Sequence, residues 1–347
     1  MFATLISMPK APKTLTREDV CRLIMNTPLW NGAEWHWFGF HFTILLDELA
    51  EHPLAKDIID ALVVCEAAMS GYAEVFIGRL TSIRGKEKFT PHYEQLMQMV
   101  AELHVITHMV RFACPGGAFF RMEPTAEGSR KNPEITIQHQ GITYGIEVKA
   151  PSLLAHIKAR NEYPIQIPGR MPSEMVEQVR RQGEVVTLPR DNPVKDFLVS
   201  ANAKFEHFKK SDANFISVLV IVWDDFIYEP ITSLISGSAG LLTPNSFLKD
   251  SEGVAVTFKH VDGVFLIRKL HQFARAAGDQ PLIDGCSDIM DYGQEGEFPF
   301  KVFIQNPNGM AVPEILQRCL QGLLPTREMG AEYTAKDLVW WTGSIDV

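Results

Sequence analysis

Two glutamates and a lysine near the middle of the chain have the types and spacing of a divalent-metal site. Glu134 directly precedes an alternating apolar and polar segment, and Glu147 and Lys149 follow thirteen and fifteen residues later. Carboxylates hold Mg²⁺ together with water and phosphate oxygens. A metal held in this way stabilises charge on a phosphate, and a neighbouring ammonium orients water or neutralises the developing charge. These residues could therefore support phosphodiester hydrolysis.

Two short strands are expected to position these side chains. The strand-like segments on either side of the polar stretch ending at Gly141 predict a β-hairpin. Residues two apart on a strand face the same side, so Glu147 and Lys149 share a face and Val148 points into a core. Glu134 converges with Glu147 if the start of the first strand lies beside the end of the second.

Further elements surround the hairpin in a regular order. A helix before it carries Glu102, and a helix after it carries Lys204. The Gly-rich turn after the first helix leads into an apolar segment that indicates another strand. The flanking elements are a helix over Met97–Phe112, a strand over Ala118–Met122, a helix over Asp196–Lys210 and a strand over Phe215–Trp223.

This order and these motifs resemble the PD-(D/E)XK nuclease superfamily. Pro133-Glu134 matches the acid that begins the second core strand, and Glu147-Val148-Lys149 matches the (D/E)-x-K triplet on the third. The resemblance implies an α/β fold: a restriction-endonuclease-like central mixed sheet flanked by helices, here with an α-helical N-terminal region. It covers about residues 97 to 225.

The resemblance also implies roles for individual residues. Glu134, Glu147 and the backbone carbonyl of Val148 would bind Mg²⁺, with Mn²⁺ as a possible substitute. Lys149 would position or activate the attacking water. Among the five residues expected to act in catalysis, Glu102 would help to hold a second metal or water, and Lys204 would contact the scissile phosphate or the surroundings of the lysine; the set is Glu102, Glu134, Glu147, Lys149 and Lys204.

Alternative assignments remain open for the acids. Glu123 and Glu127 compete with Glu134 for the place of the strand acid. Glu147 and Lys149 could form a solvent-facing ion pair on an edge strand, which would contribute little to stability. Glu134 could simply be a turn residue, and Glu102 a surface acid of its helix.

Two other groups could bind a metal. Asp224 and Asp225 follow an apolar strand, where acids either bind metal or cap the strand in solvent. His104 and His108 are four residues apart on the expected Glu102 helix, so they share one face. Packing or a surface position is the alternative for these histidines.

The chain divides into three regions. Residues 1–95 are expected to be a helical N-terminal region, and 96–230 the nuclease-like core with an insert at 150–195. Residues 231–347 are expected to extend the core, with strands at 254–258, 264–267 and 300–305. The insert is either a substrate-gripping flap or a solvent-facing elaboration, and its basic residues are Lys158, Arg160, Arg170, Arg180, Arg181 and Arg190.

Bulk composition is that of a globular protein. The 347 residues are 46% hydrophobic and 22% charged, with a net charge of −9. Residues 149–210 carry eleven basic and seven acidic side chains, whereas 211–347 carry nine and eighteen. A nucleic-acid binder usually has a basic footprint, and this distribution neither requires nor excludes one. Five dispersed cysteines without a C-x-x-C pair indicate reduced thiols rather than disulfides or a zinc site.

We expect a cytoplasmic protein, because no apolar segment is long enough to span a membrane and no signal peptide is recognised. The expected partner is nucleic acid, chiefly DNA, and not a membrane. Two alternatives belong to other classes: a catalytically inactive nucleic-acid-binding or assembly protein of the same fold, and a small-molecule hydrolase or transferase that uses an unidentified site.

Overall fold

A computed structural model gives the arrangement of these elements. It describes residues 15–32, 36–46, 52–83, 89–112, 114–124, 131–163, 165–166, 169–170, 173–181, 186–296 and 299–325. The first third is helical, as expected from its apolar periodicity. Its helices are α1 (Arg17–Met25), α2 (Pro28–Asn31), α3 (Gly39–Leu46), α4 (Pro53–Ala68), α5 (Tyr72–Ser82) and α6 (Thr90–Arg111).

A mixed six-stranded sheet follows, in the order β1-β2-β3-β6-β7-β8. The three strands β3, β6 and β7 are parallel to one another, and the remaining neighbours are antiparallel. The six strands are β1 (Phe119–Met122), β2 (Ile135–His139), β3 (Ile142–Lys149), β6 (Phe215–Trp223), β7 (Gly263–Arg268) and β8 (Lys301–Gln305). The expected α/β class with a mixed sheet and a helical N-terminal region is therefore confirmed.

The insert and the C-terminal part supply the other elements. The insert forms two helices and a small parallel ribbon of two-residue strands. Helix α9 leads into β6, and three further helices accompany the last strands. In chain order these elements are α7 (Leu154–Glu162), β4 (Ile165–Gln166), α8 (Ser173–Arg181), β5 (Val186–Thr187), α9 (Asp191–Ser211), α10 (Tyr228–Ile235), α11 (Leu270–Ala277) and α12 (Glu314–Leu320).

Strand β6 is buried along its whole length and separates two hydrophobic cores. Val218 and Val220 face the core that contains α4 and α6, whereas Leu219 and Ile221 face the core that contains α9. Burial on both faces explains why this strand is a continuous apolar segment rather than an alternating one. Because Glu147 pairs with Leu219 in the parallel ladder, its side chain projects toward α9.

Most of the expected elements are confirmed, with one clear error. The hairpin, the strand at 215–223 and the strands at 264–267 and 300–305 are present. The strand expected at 254–258 is wrong, because only Ala255 makes a bridge, to Lys249. Val254 is 58% exposed, whereas Phe258 is buried in the core that contains α9, so the segment packs against that core without forming a regular strand.

Among the helices that the structure describes, none combines the length and the apolar character needed to cross a bilayer.

Candidate functional site

The centre of the site is the carboxylate of Glu147, near the end of β3. Its Oε1 atom accepts contacts from two ammonium groups, those of Lys149 and Lys204, both at 2.6 Å. The side chain has no solvent exposure. Its second oxygen, Oε2, is buried and has no hydrogen-bond partner in the described structure. A buried carboxylate oxygen without a donor is costly unless something else binds it.

Close packing of α9 on β3 brings Lys204 to the site. Gly145 lies two residues before Glu147, on the same face of the strand. A Cβ atom at this position would overlap the ring of Phe215 and touch Phe205, the neighbour of Lys204 on α9. The missing side chain therefore lets α9 approach the sheet, and the helix delivers Lys204 to Glu147.

Glu134 enters the same site from the residue before β2. Its backbone N–H donates to the carbonyl of Ile146 at 3.0 Å, which anchors it beside the end of β3. Its Oε1 lies 3.7 Å from the ammonium of Lys204 and 4.0 Å from that of Lys149. The two carboxylates thus converge on the same pair of lysines, on the same face of the sheet.

Burial and charge perturb the ionisation of this cluster. The pKa of Glu134 is raised to about 8, first by burial and then by the negative charges of Glu102 and Glu147. Burial alone would lower the pKa of Lys149, but contact with Glu147 and the charge of Glu134 raise it overall. Lys149 therefore stays protonated near neutral pH, which suits a donor or a counter-charge rather than a general base.

Glu102 lies beside the cluster but contacts different partners. Its Oε2 accepts from Arg79 at 2.8 Å, and its Oε1 accepts from Gln98 at 3.0 Å. Helix α6 packs in the core on the opposite face of the sheet from α9. The carboxylate of Glu102 acts on Glu134 through its negative charge, which helps to raise the pKa of Glu134.

Gln98 is a site residue that sequence reasoning missed. Its Nε2 donates to the carbonyl of Val148 at 3.0 Å, and its Oε1 accepts from the N–H of Ala150 at 2.6 Å. The sequence offers one indication of this role. Gln98 lies one helical turn before Glu102, and residues four apart on a helix share a face.

The competing acids have different surroundings. Glu123 is half-exposed, and its Oε1 lies 3.6 Å from Arg79, the residue that also binds Glu102. Its backbone N–H donates to the carbonyl of Glu134 at 2.9 Å. Glu127 lies outside the described residues. Among the described acids, Glu134 is thus the one that shares the two lysines with Glu147.

The histidine pair on α6 serves packing. His108 stacks on Tyr292 with ring centroids 3.4 Å apart, and its Nε2 lies 2.6 Å from the carbonyl oxygen of Cys319. His104 is fully buried and stacks on the same tyrosine at 5.3 Å. Burial lowers the pKa of His108 to about 4, so it is neutral at physiological pH.

Three arginines of the expected flap form ion pairs with acids of the same chain. Arg160 pairs with Asp225 at 2.7 Å, and Arg190 pairs with Asp224 at 2.8 Å. Arg170 pairs with Asp191 and lies over the ring of Phe247 at 4.1 Å. Asp224 and Asp225 are thus ion-pair partners. In the same region, Arg181 is exposed and pairs with Glu177 at 3.5 Å.

The donor set is compatible with a hard divalent cation. Glu134 and Glu147 supply carboxylates, the unpartnered Oε2 of Glu147 is a ready ligand atom, and Val148 offers a carbonyl. In the described residues, no three His, Cys, Asp or Glu side chains are grouped so that they could hold a metal ion. The metal-ligand set expected from the sequence contains two such side chains, Glu134 and Glu147, and one backbone oxygen. Lys149 and Lys204 both contact Glu147 Oε1.

Comparisons with protein-family models, with curated proteins and with solved structures find no match for this chain. Function is therefore inferred from the geometry of the site.

Proposed function

We propose that this chain is a metal-dependent nuclease that hydrolyses phosphodiester bonds in DNA, built on a restriction-endonuclease-like sheet. The observation that carries this proposal is the convergence of Glu134, Glu147, Lys149 and Lys204, in which one buried carboxylate oxygen has no hydrogen-bond partner among the residues that the structure describes. Perturbed ionisable groups gathered at one site are typical of catalytic centres. The unpaired cysteines suit a reducing cytoplasm.

Glu134, Glu147 and the carbonyl of Val148 would hold Mg²⁺ or Mn²⁺. When bound, the metal would polarise the phosphate and lower the pKa of a bound water. Binding requires the ionised form of Glu134, and its raised pKa makes that ionisation part of the binding reaction. Glu102 would hold outer water molecules while Arg79 and Gln98 fix its carboxylate.

The two lysines would stabilise the charge that develops on the phosphate. Both ammonium groups lie on Glu147 Oε1, so a phosphate beside that carboxylate would be within their reach. Lys149 is protonated near neutral pH, so it would donate hydrogen bonds to the attacking water or to a phosphate oxygen.

Incubation of the pure protein with supercoiled plasmid and with single-stranded DNA, in Mg²⁺ or Mn²⁺, tests the proposal. We expect cleavage that chelation abolishes. Loss of one preorganised donor typically lowers the rate by about 10²–10³-fold, and we expect at least this loss for Lys149→Ala. Glu147→Ala removes a carboxylate ligand of the metal, and we expect a loss at least as large.

Matched controls come from the surface of α9. Lys210 is 64% exposed and pairs with Glu206 at 2.7 Å, so Lys210→Ala removes a lysine from the same helix without touching the site. This variant should cleave at the wild-type rate. Cleavage that survives in Lys149→Ala and Glu147→Ala would overturn the assignment, as would failure of the wild-type protein to cut either substrate.

A further inference from the structure

The side-chain amide of Gln98 makes three hydrogen bonds, which engage both its nitrogen and its oxygen. Its Nε2 donates to the carbonyl of Val148 and to Glu102 Oε1, each at 3.0 Å, and its Oε1 accepts from the N–H of Ala150 at 2.6 Å. An amide has two donor hydrogens and one acceptor oxygen, so these three contacts define its orientation. The group cannot be flipped without placing like atoms against each other.

The local path of β3 explains why this contact exists. The carbonyl of Ile146 accepts from the N–H of Glu134, at the start of β2. Val148 and Ala150 lie two and four residues further along, so their backbone groups point in the same direction as that carbonyl. They extend beyond the start of β2, and Gln98 pairs with them in place of a neighbouring strand.

The contact leaves the carbonyl of Val148 free to bind a second group. A carbonyl oxygen has two lone pairs, and Gln98 uses one of them. Gln98 fixes the direction of this carbonyl from α6, the helix that also carries Glu102. One side chain therefore links the carbonyl and an acid of the site, which lie on different elements of the chain.

We propose that Gln98 is a positioning residue that fixes the carbonyl of Val148 and the carboxylate of Glu102 for the binding of a divalent cation. This inference rests on the proposed function and adds a requirement to it. Outer residues that orient metal ligands typically contribute about 10–100-fold to metal affinity. We expect Gln98→Met, which keeps the length of the side chain and removes its hydrogen bonds, to weaken cation binding by this factor.

Calorimetric titration of the full chain with Mn²⁺ tests the inference without an activity assay. The matched control is Gln95→Met, because Gln95 is an exposed glutamine three residues earlier on the same helix. Gln95→Met should bind Mn²⁺ as the wild type does, and Glu147→Gln should lose binding. Circular dichroism and urea unfolding identify conditions under which all four proteins are folded.

The outcomes separate the two proposals. Wild-type binding that Glu147→Gln abolishes and Gln98→Met weakens at least tenfold supports both. Equal affinities of Gln98→Met and wild type overturn the positioning role and leave the nuclease proposal intact. Equal weakening in Gln95→Met and Gln98→Met also overturns it, because the effect would then be general to the helix. Absence of binding by the wild type overturns both.

Discussion

Two clusters of buried charge lie on the same side of the sheet, at the ends of two neighbouring strands. They differ in how fully their carboxylate oxygens are paired. The first is the Glu134 and Glu147 site, at the end of β3. The second contains Arg190, Asp224 and Glu229, just after β6. Because β3 and β6 run parallel, the first cluster, at the carboxyl end of β3, and the second, just after the carboxyl end of β6, lie on the same side of the sheet. The side chains of Glu147, Asp224 and Glu229 all have no solvent exposure.

In the second cluster three of the four carboxylate oxygens of Asp224 and Glu229 accept hydrogen bonds, and the fourth has only an ion-pair contact with Arg190 in the described structure. Arg190 Nη2 lies 2.6 Å from Glu229 Oε2, which also accepts from Trp223 Nε1 at 3.2 Å. Glu229 Oε1 accepts from the backbone N–H of Arg190 at 3.3 Å. Asp224 Oδ1 accepts from the N–H of Phe226 at 3.0 Å, and Oδ2 forms an ion pair with Arg190 that lacks hydrogen-bond geometry.

Among the described residues, Glu147 Oε2 in the first cluster has no hydrogen-bond partner, whereas Asp224 Oδ2 in the second lies 2.8 Å from Arg190. Burial raises the pKa of one acid in each cluster, that of Glu134 to about 8 and that of Glu229 as well. Burial is similar in the two clusters, so burial alone does not identify a functional site. The informative difference is the incomplete pairing in the first cluster. A complete network stabilises a fold, whereas an incomplete one retains binding capacity at a cost in stability.

The largest expected effect is on the complete cluster. Arg190→Met keeps much of the side-chain volume but leaves Asp224 and Glu229 as buried carboxylates without their cation. Breaking a buried ion pair in this way typically costs about 3–5 kcal/mol. We expect a loss of this size in the free energy of unfolding, measured by urea denaturation.

The control for Arg190 is an arginine on the surface. Arg181 is 77% exposed and pairs with Glu177 at 3.5 Å, so Arg181→Ala should change stability by less than about 0.5 kcal/mol. An Arg190→Met variant as stable as wild type would remove the distinction between a complete and an incomplete cluster.

A smaller effect is expected where α9 approaches β3. Gly145→Ala places a methyl group against the rings of Phe215 and Phe205. Overpacking of this kind typically costs about 1–3 kcal/mol. It should also lower nuclease activity, because displacement of α9 moves Lys204 away from Glu147. Thermal unfolding and the plasmid assay measure the two effects.

The matched glycine for this test is Gly78, inside α5. A Cβ there meets nothing within 4 Å. Gly78→Ala should therefore stabilise the protein by about 0.5–1 kcal/mol, since alanine favours helix over glycine. If Gly145→Ala behaved like Gly78→Ala, close packing of α9 would not be what positions Lys204.

Some of this arrangement follows from the sequence and some does not. The strand at 215–223 is predictable to the residue, because a long apolar segment bounded by polar residues has few other solutions. The hairpin and the shared face of Glu147 and Lys149 follow from the two-residue period of a strand. Helix α9 begins at Asp191, earlier than the expected Asp196, because its first turn tolerates Pro193.

Contacts between residues far apart in the chain could not be predicted from the sequence. The partner of Arg160 is 65 residues away and that of Arg190 is 39 residues away, so the basic character of the insert suggested a flap where the structure has internal ion pairs. Gln98 has no motif, and its backbone partners lie 50 and 52 residues further along the chain. Local patterns identify the acids and lysines but not the residues that hold them in place.

The smallest expected effect is the pH dependence of stability that Glu134 causes in the first cluster. Glu134 has a folded-state pKa of about 8, above the ordinary value of 4.5. Between these pH values the folded protein holds a proton that the unfolded chain has lost. The free energy of unfolding therefore falls as pH rises toward 8. Its contribution to stability is complete below pH 4.5 and is lost as pH passes through about 8.

Glu134→Gln removes that titration. The difference in free energy of unfolding between Glu134→Gln and wild type should therefore grow in favour of the variant between pH 5 and pH 7, by on the order of 1–2 kcal/mol, and level off above pH 8. Urea unfolding in metal-free buffer across this range measures it. The variant should also bind Mn²⁺ more weakly, because a neutral amide replaces a carboxylate ligand. A difference that stays constant with pH would mean that folding does not raise the pKa of Glu134, and the stability cost assigned to the first cluster would be wrong.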